Sequence, residues 1–130
     1  MKNYDNFILP ANDLQKGKEF YQGTLGFPVK FDFTDIGMTA FKVGEQEPAI
    51  ILSTNPATKP AIWFVVDNVM QKFKELQSKG VTFCKEPFLI KTGWAAEFED
   101  PFGNRLAITD YSAISNNEFV EAKNKGEMKE

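Results

Sequence analysis

The sequence predicts an α+β fold in which two βαβββ modules form curved mixed sheets around a cleft. The first observation behind this prediction is a repeated order of elements, a strand, a capped helix and three strands, which occurs twice at an offset of roughly 55 residues. The second is a turn-prone segment, Asp100-Pro101-Phe102-Gly103-Asn104, between two apolar runs near the end of the second repeat. Neither module is expected to close a core alone, because each would be a curved sheet with one helix on one face.

The first module is expected at about residues 6–53. Its predicted elements are a strand at 7–11, a helix from about 13 to 25, and strands at 29–33, 38–43 and 49–53. Asn12 or Asp13 can cap the helix, since a short polar side chain there accepts a hydrogen bond from a first-turn N–H. Gly26 is placed to end it. The residues expected near one face of this helix are Leu14, Gly17, Phe20, Tyr21 and Leu25.

The second module is expected at about residues 61–111, after a polar linker at 54–60 that is punctuated by proline. Its predicted elements are a strand at 61–66, a helix that ends at Gly80, and strands at 81–84, 94–98 and 106–110. Asp67 or Asn68 can cap this helix. The apolar residues at the i, i+4, i+7 spacing of its buried face are Val69, Phe73 and Leu76.

Length sets the domain count. A chain of 130 residues is one ordinary domain with enough residues for a core, and we expect that domain over residues 1–115. The tail at 116–130 is highly charged and is expected to form a short helix or a frayed end.

The composition excludes several classes of function. A net charge of -3 leaves no basic stripe, so nucleic acid is not an expected partner. The chain has no apolar run of membrane-spanning length and no signal-like start, so we expect no membrane partner and a cytoplasmic location. Cys84, the single cysteine, is expected to be an inert buried thiol. The absence of histidine excludes His-based acid–base catalysis and imidazole metal ligands.

Short motifs occur in a fixed order along most of the chain. They are Asn12-Asp13-Leu14, Phe20-Tyr21, Leu25-Gly26-Phe27 and the Asp100–Asn104 turn. Together they resemble the glyoxalase/bleomycin-resistance/extradiol-dioxygenase superfamily, the vicinal oxygen chelate proteins. The resemblance implies that the cleft is a ligand site, formed within one chain or across a dimer. A homodimer is therefore expected, and the linker at 54–60 allows either intrachain or domain-swapped pairing of the modules.

Metalloenzymes of that superfamily place four metal ligands on four strands, two in each module. Carried over by pattern, these positions fall on Asn6, Ile51, Ala61 and Ala107. Asparagine is a feeble ligand, and isoleucine and alanine side chains cannot coordinate, so we expect no metal and no cofactor. The chain is therefore similar to the metal-free, bleomycin-resistance-like branch. The two alanines leave apolar space at the floor of the cleft, which suits an organic ligand better than an ion.

The four former metal positions and three larger residues form the candidate ligand-binding set. Trp63 could stack on a planar ligand, or pack in the core under the helix. Trp94, after a flexible segment at 91–93, could form a platform at the rim of the cleft. Arg105 could hold a carboxylate or a phosphate, or pair with Glu99.

The favoured function is metal-independent binding or sequestration of a small organic, possibly aromatic, ligand. The alternative is a lyase, isomerase or dioxygenase of the same superfamily with a non-standard active site that uses Glu97, Glu99 or Tyr111. A third hypothesis is an accessory domain whose surface matters more than its cleft. No catalytic residue is assigned, because no second group pairs recognisably with these carboxylates. The phenylalanines that ordinary core packing explains are Phe31, Phe33 and Phe41.

Overall fold

The computed structural model describes residues 1–113, and its order of elements repeats the βαβββ pattern. The strands and helices are β1 (Asn3–Pro10), α1 (Leu14–Lys18), β2 (Val29–Phe33), β3 (Met38–Lys42), β4 (Ala49–Ser53), β5 (Ala61–Val65), α2 (Val69–Ser78), β6 (Phe88–Ile90), β7 (Gly93–Glu99) and β8 (Arg105–Thr109). A π-helical turn at Glu19–Thr24 continues α1, and a 3₁₀ turn at Thr34–Ile36 connects β2 to β3. The predicted α+β class with two βαβββ modules is confirmed. The tail expected at 116–130 lies outside the described residues.

The chain divides into two compact units, and the division falls inside β5. The first unit is Tyr4–Trp63, and the second comprises, among the described residues, Met1–Asn3 and residues 64–113. In the first unit the strand order is β2-β3-β4-β1, with β1 parallel to β4 and the other neighbours antiparallel. In the second unit the order is β5-β8-β7-β6, and β7 is antiparallel to both β6 and β8.

In the first unit, α1 packs on one face of the sheet. Phe41 is fully buried on this face, and its ring stacks on Tyr21 with the ring centroids 5.3 Å apart. Gly17 lets α1 approach β4 closely, because a Cβ atom at this position would lie 2.5 Å from Leu52 Cδ1. Alternation along β4 turns Leu52 toward α1 and its neighbour Ile51 to the other face. We call this other face the helix-free face of the first unit.

In the second unit, α2 packs on one face of the sheet through a hydrophobic cluster. Its buried members are Val66, Val69, Phe73, Ala96, Phe98 and Ile108. Trp94 and Leu106 are half-buried against this cluster. The alternate residues of β7 and β8 therefore face away from α2. We call the surface that they form the helix-free face of the second unit.

The structure decides between the two capping residues that the sequence allowed for each helix. Asp13 and Asn68 each accept a hydrogen bond from a first-turn backbone N–H, at 3.1 and 3.0 Å. They are therefore the N-caps of α1 and α2, and Asn12 and Asp67 are not. Neither of these described helices is long and apolar enough to cross a membrane.

The first helical segment departs from its predicted buried face. Gly26 follows its end with a φ of 79°, as predicted. The turn at Glu19–Thr24 is π-helical, however, and each residue of this wider turn rotates the chain by less than in an α-helix. The predicted i, i+3, i+4 face is therefore not maintained. Phe20 and Leu25, both expected on it, are 52% and 45% exposed.

The connection from β7 to β8 is the predicted tight turn. The Asp100 carboxylate accepts hydrogen bonds from the backbone N–H groups of Phe102 (2.8 Å) and Asn104 (2.9 Å). Gly103 has a φ of 85°, a conformation that glycine adopts without steric cost. The side-chain amide of Asn104, together with these backbone groups, holds the pKa of Asp100 below its usual range.

The strand predicted at 81–84 is wrong. Only Phe83 pairs in this segment, in an isolated bridge with Phe98, and the second strand of the second module is β6 at Phe88–Ile90. Cys84 was expected to be buried, but it is exposed. The reason is that one bridging residue holds the segment at the edge of the sheet without covering its neighbours.

Candidate functional site

The helix-free face of the first unit carries an apolar row that ends in two aromatic rings. Phe31, Ala40, Ile51 and Ile8 are successive register partners on β2, β3, β4 and β1, so they lie side by side across the sheet. Ala40 and Ile51 are buried, whereas Phe31 and Ile8 are half-buried. Phe33 stacks on Phe31 with centroids 4.6 Å apart and ring planes at 19°. The row therefore places apolar and aromatic side chains on the side of the sheet that α1 leaves free, and Phe31 and Ile8 are its partly exposed members.

Asn6 lies on the same face, two residues before Ile8 on β1. It is 7% exposed, and its Nδ2 donates a hydrogen bond to Asp5 Oδ2 at 2.8 Å. Its Oδ1 is buried and has no hydrogen-bond partner. The side-chain amide is thus anchored through its nitrogen, and its oxygen is left unsatisfied.

On the helix-free face of the second unit, Arg105 lies beside two carboxylates. Its Nη1 is 3.6 Å from Glu97 Oε1, and its Nη2 donates to Glu99 Oε2 at 3.2 Å. The salt bridge with Glu99 that the sequence allowed is therefore present. The Arg105 side chain is 15% exposed, whereas the side chains of Glu97 and Glu99 are 25% and 39% exposed, so the guanidinium is more shielded from water than its two carboxylate partners. Ala107, the register partner of Glu97, is fully buried on the same face.

The two tryptophans occupy different environments. Trp63 alternates along β5 with Phe64, which packs on the α2 cluster, so Trp63 faces away from that cluster. Its side chain is half-buried, and its Nε1 has no hydrogen-bond partner. Trp94 lies within β7, not on a loop, because that strand begins at the preceding residue. It packs on the α2 cluster, so the structure does not bring Trp94 to the face that carries Arg105 and Ala107.

The predicted residues are distributed over both units. The first unit contains Asn6, Ile51, Ala61 and Trp63, and the second contains Trp94, Arg105 and Ala107. The sequence analysis assigned Phe31 and Phe33 to core packing and so missed their position in the row. Their two-residue spacing in a strand was the signal, since it places both rings on one face.

A groove in the second unit has a volume of about 660 Å³. Its lining includes Lys79, Val81, Phe83, Cys84, Asp100 and Arg105. Of these residues only Arg105 was predicted to bind a ligand. Val81, Phe83 and Cys84 were missed because the segment after α2 was assigned to a paired strand, and an unpaired segment leaves space at the edge of the sheet.

The sequence profile of the Glyoxalase/Bleomycin resistance protein/Dioxygenase superfamily matches residues 3–108. This chain belongs to that superfamily. The match spans both βαβββ modules and confirms the resemblance on which the ligand positions were carried over. A search of curated protein sequences found no match.

Solved structures of similar fold come from several bacteria. A Legionella pneumophila structure described as an NAD-dependent benzaldehyde dehydrogenase has a TM-score of 0.68 at 17% identity, over 81% of this chain and 96% of that one. A variant of Streptomyces coelicolor methylmalonyl-CoA epimerase in complex with 2-nitronate-propionyl-CoA has a TM-score of 0.67 at 18% identity, over 86% and 99%. Mycobacterium tuberculosis methylmalonyl-CoA epimerase has a TM-score of 0.66 at 16% identity, over 83% and 87%. At these identities the likeness shows the fold alone.

The residues at the four positions carried over by pattern from the superfamily's metalloenzymes do not fit a metal ion. Ile51, Ala61 and Ala107 have no donor atom in their side chains, and the Asn6 amide is a single weak oxygen ligand. Within residues 1–113, no three His, Cys, Asp or Glu side chains are grouped so that they could hold a metal ion. What this arrangement offers chemically is apolar surface with isolated hydrogen-bonding atoms.

Proposed function

We propose that this protein binds and sequesters a small organic, partly aromatic ligand without a metal ion. The observation that carries the proposal is the apolar row that ends at Phe31 and Phe33, on the same face as the former metal positions Asn6 and Ile51. An aliphatic side chain at a metal position replaces a coordinating atom by hydrophobic surface. Such surface binds aromatic molecules through burial and ring stacking.

The charges favour a neutral ligand over an anionic one. Arg105 could have held a carboxylate or a phosphate, but Glu97 and Glu99 already occupy its guanidinium at 3.6 and 3.2 Å. An anionic ligand would have to displace one of these carboxylates from Arg105 and would meet the repulsion of the other. The overall charge of -3 disfavours anions further.

An enzymatic role is the second candidate, and one observation favours it. Glu97 is a carboxylate with a side chain 25% exposed, on the helix-free face of the second unit, where it could serve as a general base. The structural neighbours that are epimerases of a coenzyme A thioester make proton transfer at such a carboxylate the reaction to test. Glu97 also forms an ion pair with Arg105, and a carboxylate with a purely structural role would do the same.

The proposal is tested by thermal unfolding of tag-free protein against a library of neutral aromatic compounds, with and without EDTA. A compound present at 100 times its Kd stabilises the native state by about 2.7 kcal/mol, which raises the Tm by several degrees. We expect such shifts and expect EDTA to leave them unchanged. Elemental analysis of the same preparation is expected to find far less than one metal ion per chain.

Two variants test the role of the stacked rings, one that removes a ring of the pair and one that serves as its matched control. We expect Phe31→Ala to weaken binding of the best compound about tenfold or more, since it removes one ring of the stacked pair. Phe102→Ala removes a ring that is 87% exposed at the tip of the β7–β8 turn, and it should leave binding unchanged. The absence of any stabilising compound would contradict the proposal. So would turnover of a thioester or hemithioacetal substrate that EDTA abolishes.

A further inference from the structure

Two side-chain atoms of the first unit are hydrogen-bonding groups without a partner. They are Asn6 Oδ1 and Trp63 Nε1, and both are shielded from solvent. A buried polar atom that makes no hydrogen bond destabilises the folded state, and such atoms in native structures call for a specific explanation. Arg105 Nε, in the second unit, is also unpartnered. The two terminal nitrogens of the same guanidinium already contact carboxylates, so Arg105 needs no ligand to balance its charge.

The orientation of the Asn6 amide is set by Asp5. The Asn6 Nδ2 lies 2.8 Å from Asp5 Oδ2, a distance at which a flipped amide would place two oxygens against each other. The unpartnered atom of Asn6 is therefore its carbonyl oxygen, which can only accept a hydrogen bond. The side chain lies on the helix-free face of its unit, and a coordinated ion is not its partner, because Ile51 on the same face has no donor atom.

The unpartnered atom of Trp63 has the opposite character. An indole Nε1 carries a proton and can only donate a hydrogen bond. Trp63 faces away from the α2 cluster and is only half-buried, so its ring can tilt without unpacking that cluster. Asn6 and Trp63 belong to one compact unit and lie on the neighbouring strands β1 and β5. Neighbouring strands of a sheet are about 4.8 Å apart, so side chains that extend from them on one face are within reach of one small molecule.

We propose that Asn6 and Trp63 are a polar recognition pair for a neutral planar ligand that carries both a donor and an acceptor, such as a lactam. Asn6 Oδ1 accepts a hydrogen bond from the ligand N–H, and Trp63 Nε1 donates one to the ligand carbonyl. The inference rests on the proposed function and adds the class of ligand to it. Because both atoms are shielded in the free protein, ligand binding turns the Trp63 ring to reach its acceptor.

Three commercial compounds test the pair on the wild-type protein. 2-Oxindole has an N–H beside a carbonyl, N-methyl-2-oxindole keeps only the carbonyl, and indole keeps only the N–H. We expect isothermal titration calorimetry to show that 2-oxindole binds about tenfold more tightly than either analogue, the loss expected for one hydrogen bond. Equal affinities, or no binding of all three by a protein that binds other aromatic compounds, would overturn the inference and leave the proposed function standing. Failure of every compound in the wider library would remove both.

Variants assign each preference to its residue. Trp63→Phe should bind 2-oxindole and indole equally, because the carbonyl is no longer recognised. Asn6→Leu should bind 2-oxindole and its N-methyl derivative equally, because the N–H is no longer recognised. Trp94→Phe is the matched control, since Trp94 packs on the α2 cluster, and it should keep both preferences. If Trp63→Phe still preferred 2-oxindole to indole, or Asn6→Leu still preferred it to the N-methyl derivative, the assignment of these hydrogen bonds to Trp63 and Asn6 would be contradicted.

Nuclear magnetic resonance gives a readout on the wild-type protein itself, and a variant is needed only to assign the signal. The indole Nε1 proton of Trp63, identified by its loss in Trp63→Phe, should move downfield when 2-oxindole binds to the wild-type protein. The corresponding proton of Trp94 should not move. A Trp63 signal that stays in place while 2-oxindole binds would show that the ligand carbonyl has another partner.

Discussion

Asp110 joins three separated parts of the second unit. It is 9% exposed, and its carboxylate accepts hydrogen bonds from the backbone N–H groups of Val69 (2.9 Å), Trp94 (3.1 Å) and Ser112 (2.9 Å). It thereby holds the first turn of α2, the start of β7 and the end of β8 together. Burial raises the pKa of Asp110, but hydrogen bonds from Val69 and Ser112 outweigh burial and hold it below its usual value.

We expect Asp110→Asn to lower the free energy of unfolding by about 1–3 kcal/mol. The amide nitrogen cannot accept a hydrogen bond, so one or more of these buried N–H groups would be left without a partner. Urea denaturation measures the change. Asp67→Asn is the control, because Asp67 forms an exposed ion pair with Lys2 and its replacement should cost less than about 0.5 kcal/mol. Equal losses of unfolding free energy in the two variants would show that the hydrogen bonds to Asp110 stabilise the protein no more than an exposed ion pair does.

The elements that the sequence predicted correctly are those with a local cause. Apolar and polar residues alternate in the strand at 29–33, and the strand at 49–53 is a nearly continuous apolar run. The β7–β8 turn follows from residues that favour tight turns. The strand β6 was missed because it has three residues, and its pairing with β7 depends on a partner elsewhere in the chain. Gly93, which begins β7, was assigned to a flexible segment. The structure shows why glycine is needed there, since a Cβ atom would lie 2.5 Å from the backbone nitrogen of Ser112.

The capping of α2 gives a prediction at the scale of this element. We expect Asn68→Ala to destabilise the protein by about 1 kcal/mol, because Asn68 Oδ1 accepts the backbone N–H of Gln71 at 3.0 Å and alanine cannot replace this bond. Asn12→Ala is the matched control, since Asp13 caps α1 instead. Chemical denaturation of both variants checks the difference. A loss at Asn12 as large as that at Asn68 would contradict the assignment of the caps.

At the scale of the whole molecule, charged groups determine how stability responds to pH. Within the part of the chain that the structure describes, the carboxylates with a pKa below the usual range are Asp32, Glu75, Asp100 and Asp110. For Asp32 the main cause is the hydrogen bond from the Lys18 side chain, which ties α1 to β2. A carboxylate whose pKa is lowered by folding stabilises the protein above its unfolded pKa of about 4. This contribution is lost as the pH falls through the folded pKa.

We therefore expect the free energy of unfolding to be nearly constant from about pH 6 to pH 8 and to fall progressively below about pH 5. The constant range follows from the absence of histidine, the side chain that ordinarily titrates there. Urea denaturation from pH 3 to pH 8 measures the curve. Asp110→Asn should flatten part of the acidic decline, because asparagine does not titrate. A protein that became more stable on acidification would contradict this account.

The sequence by itself determined the α+β class, the doubled βαβββ order and the superfamily, and it fixes which side-chain atoms are present at the positions carried over from the superfamily's metal ligands. These properties depend on local periodicity, on capping and turn residues, and on which side-chain atoms exist at all. The tertiary structure alone decided that Trp94 packs on α2, that two carboxylates occupy Arg105, and that Phe31 stacks on Phe33. It also left Asn6 Oδ1 and Trp63 Nε1 unpartnered. These features depend on which strand pairs with which and in what register, and a one-residue change in register reverses the face of every side chain.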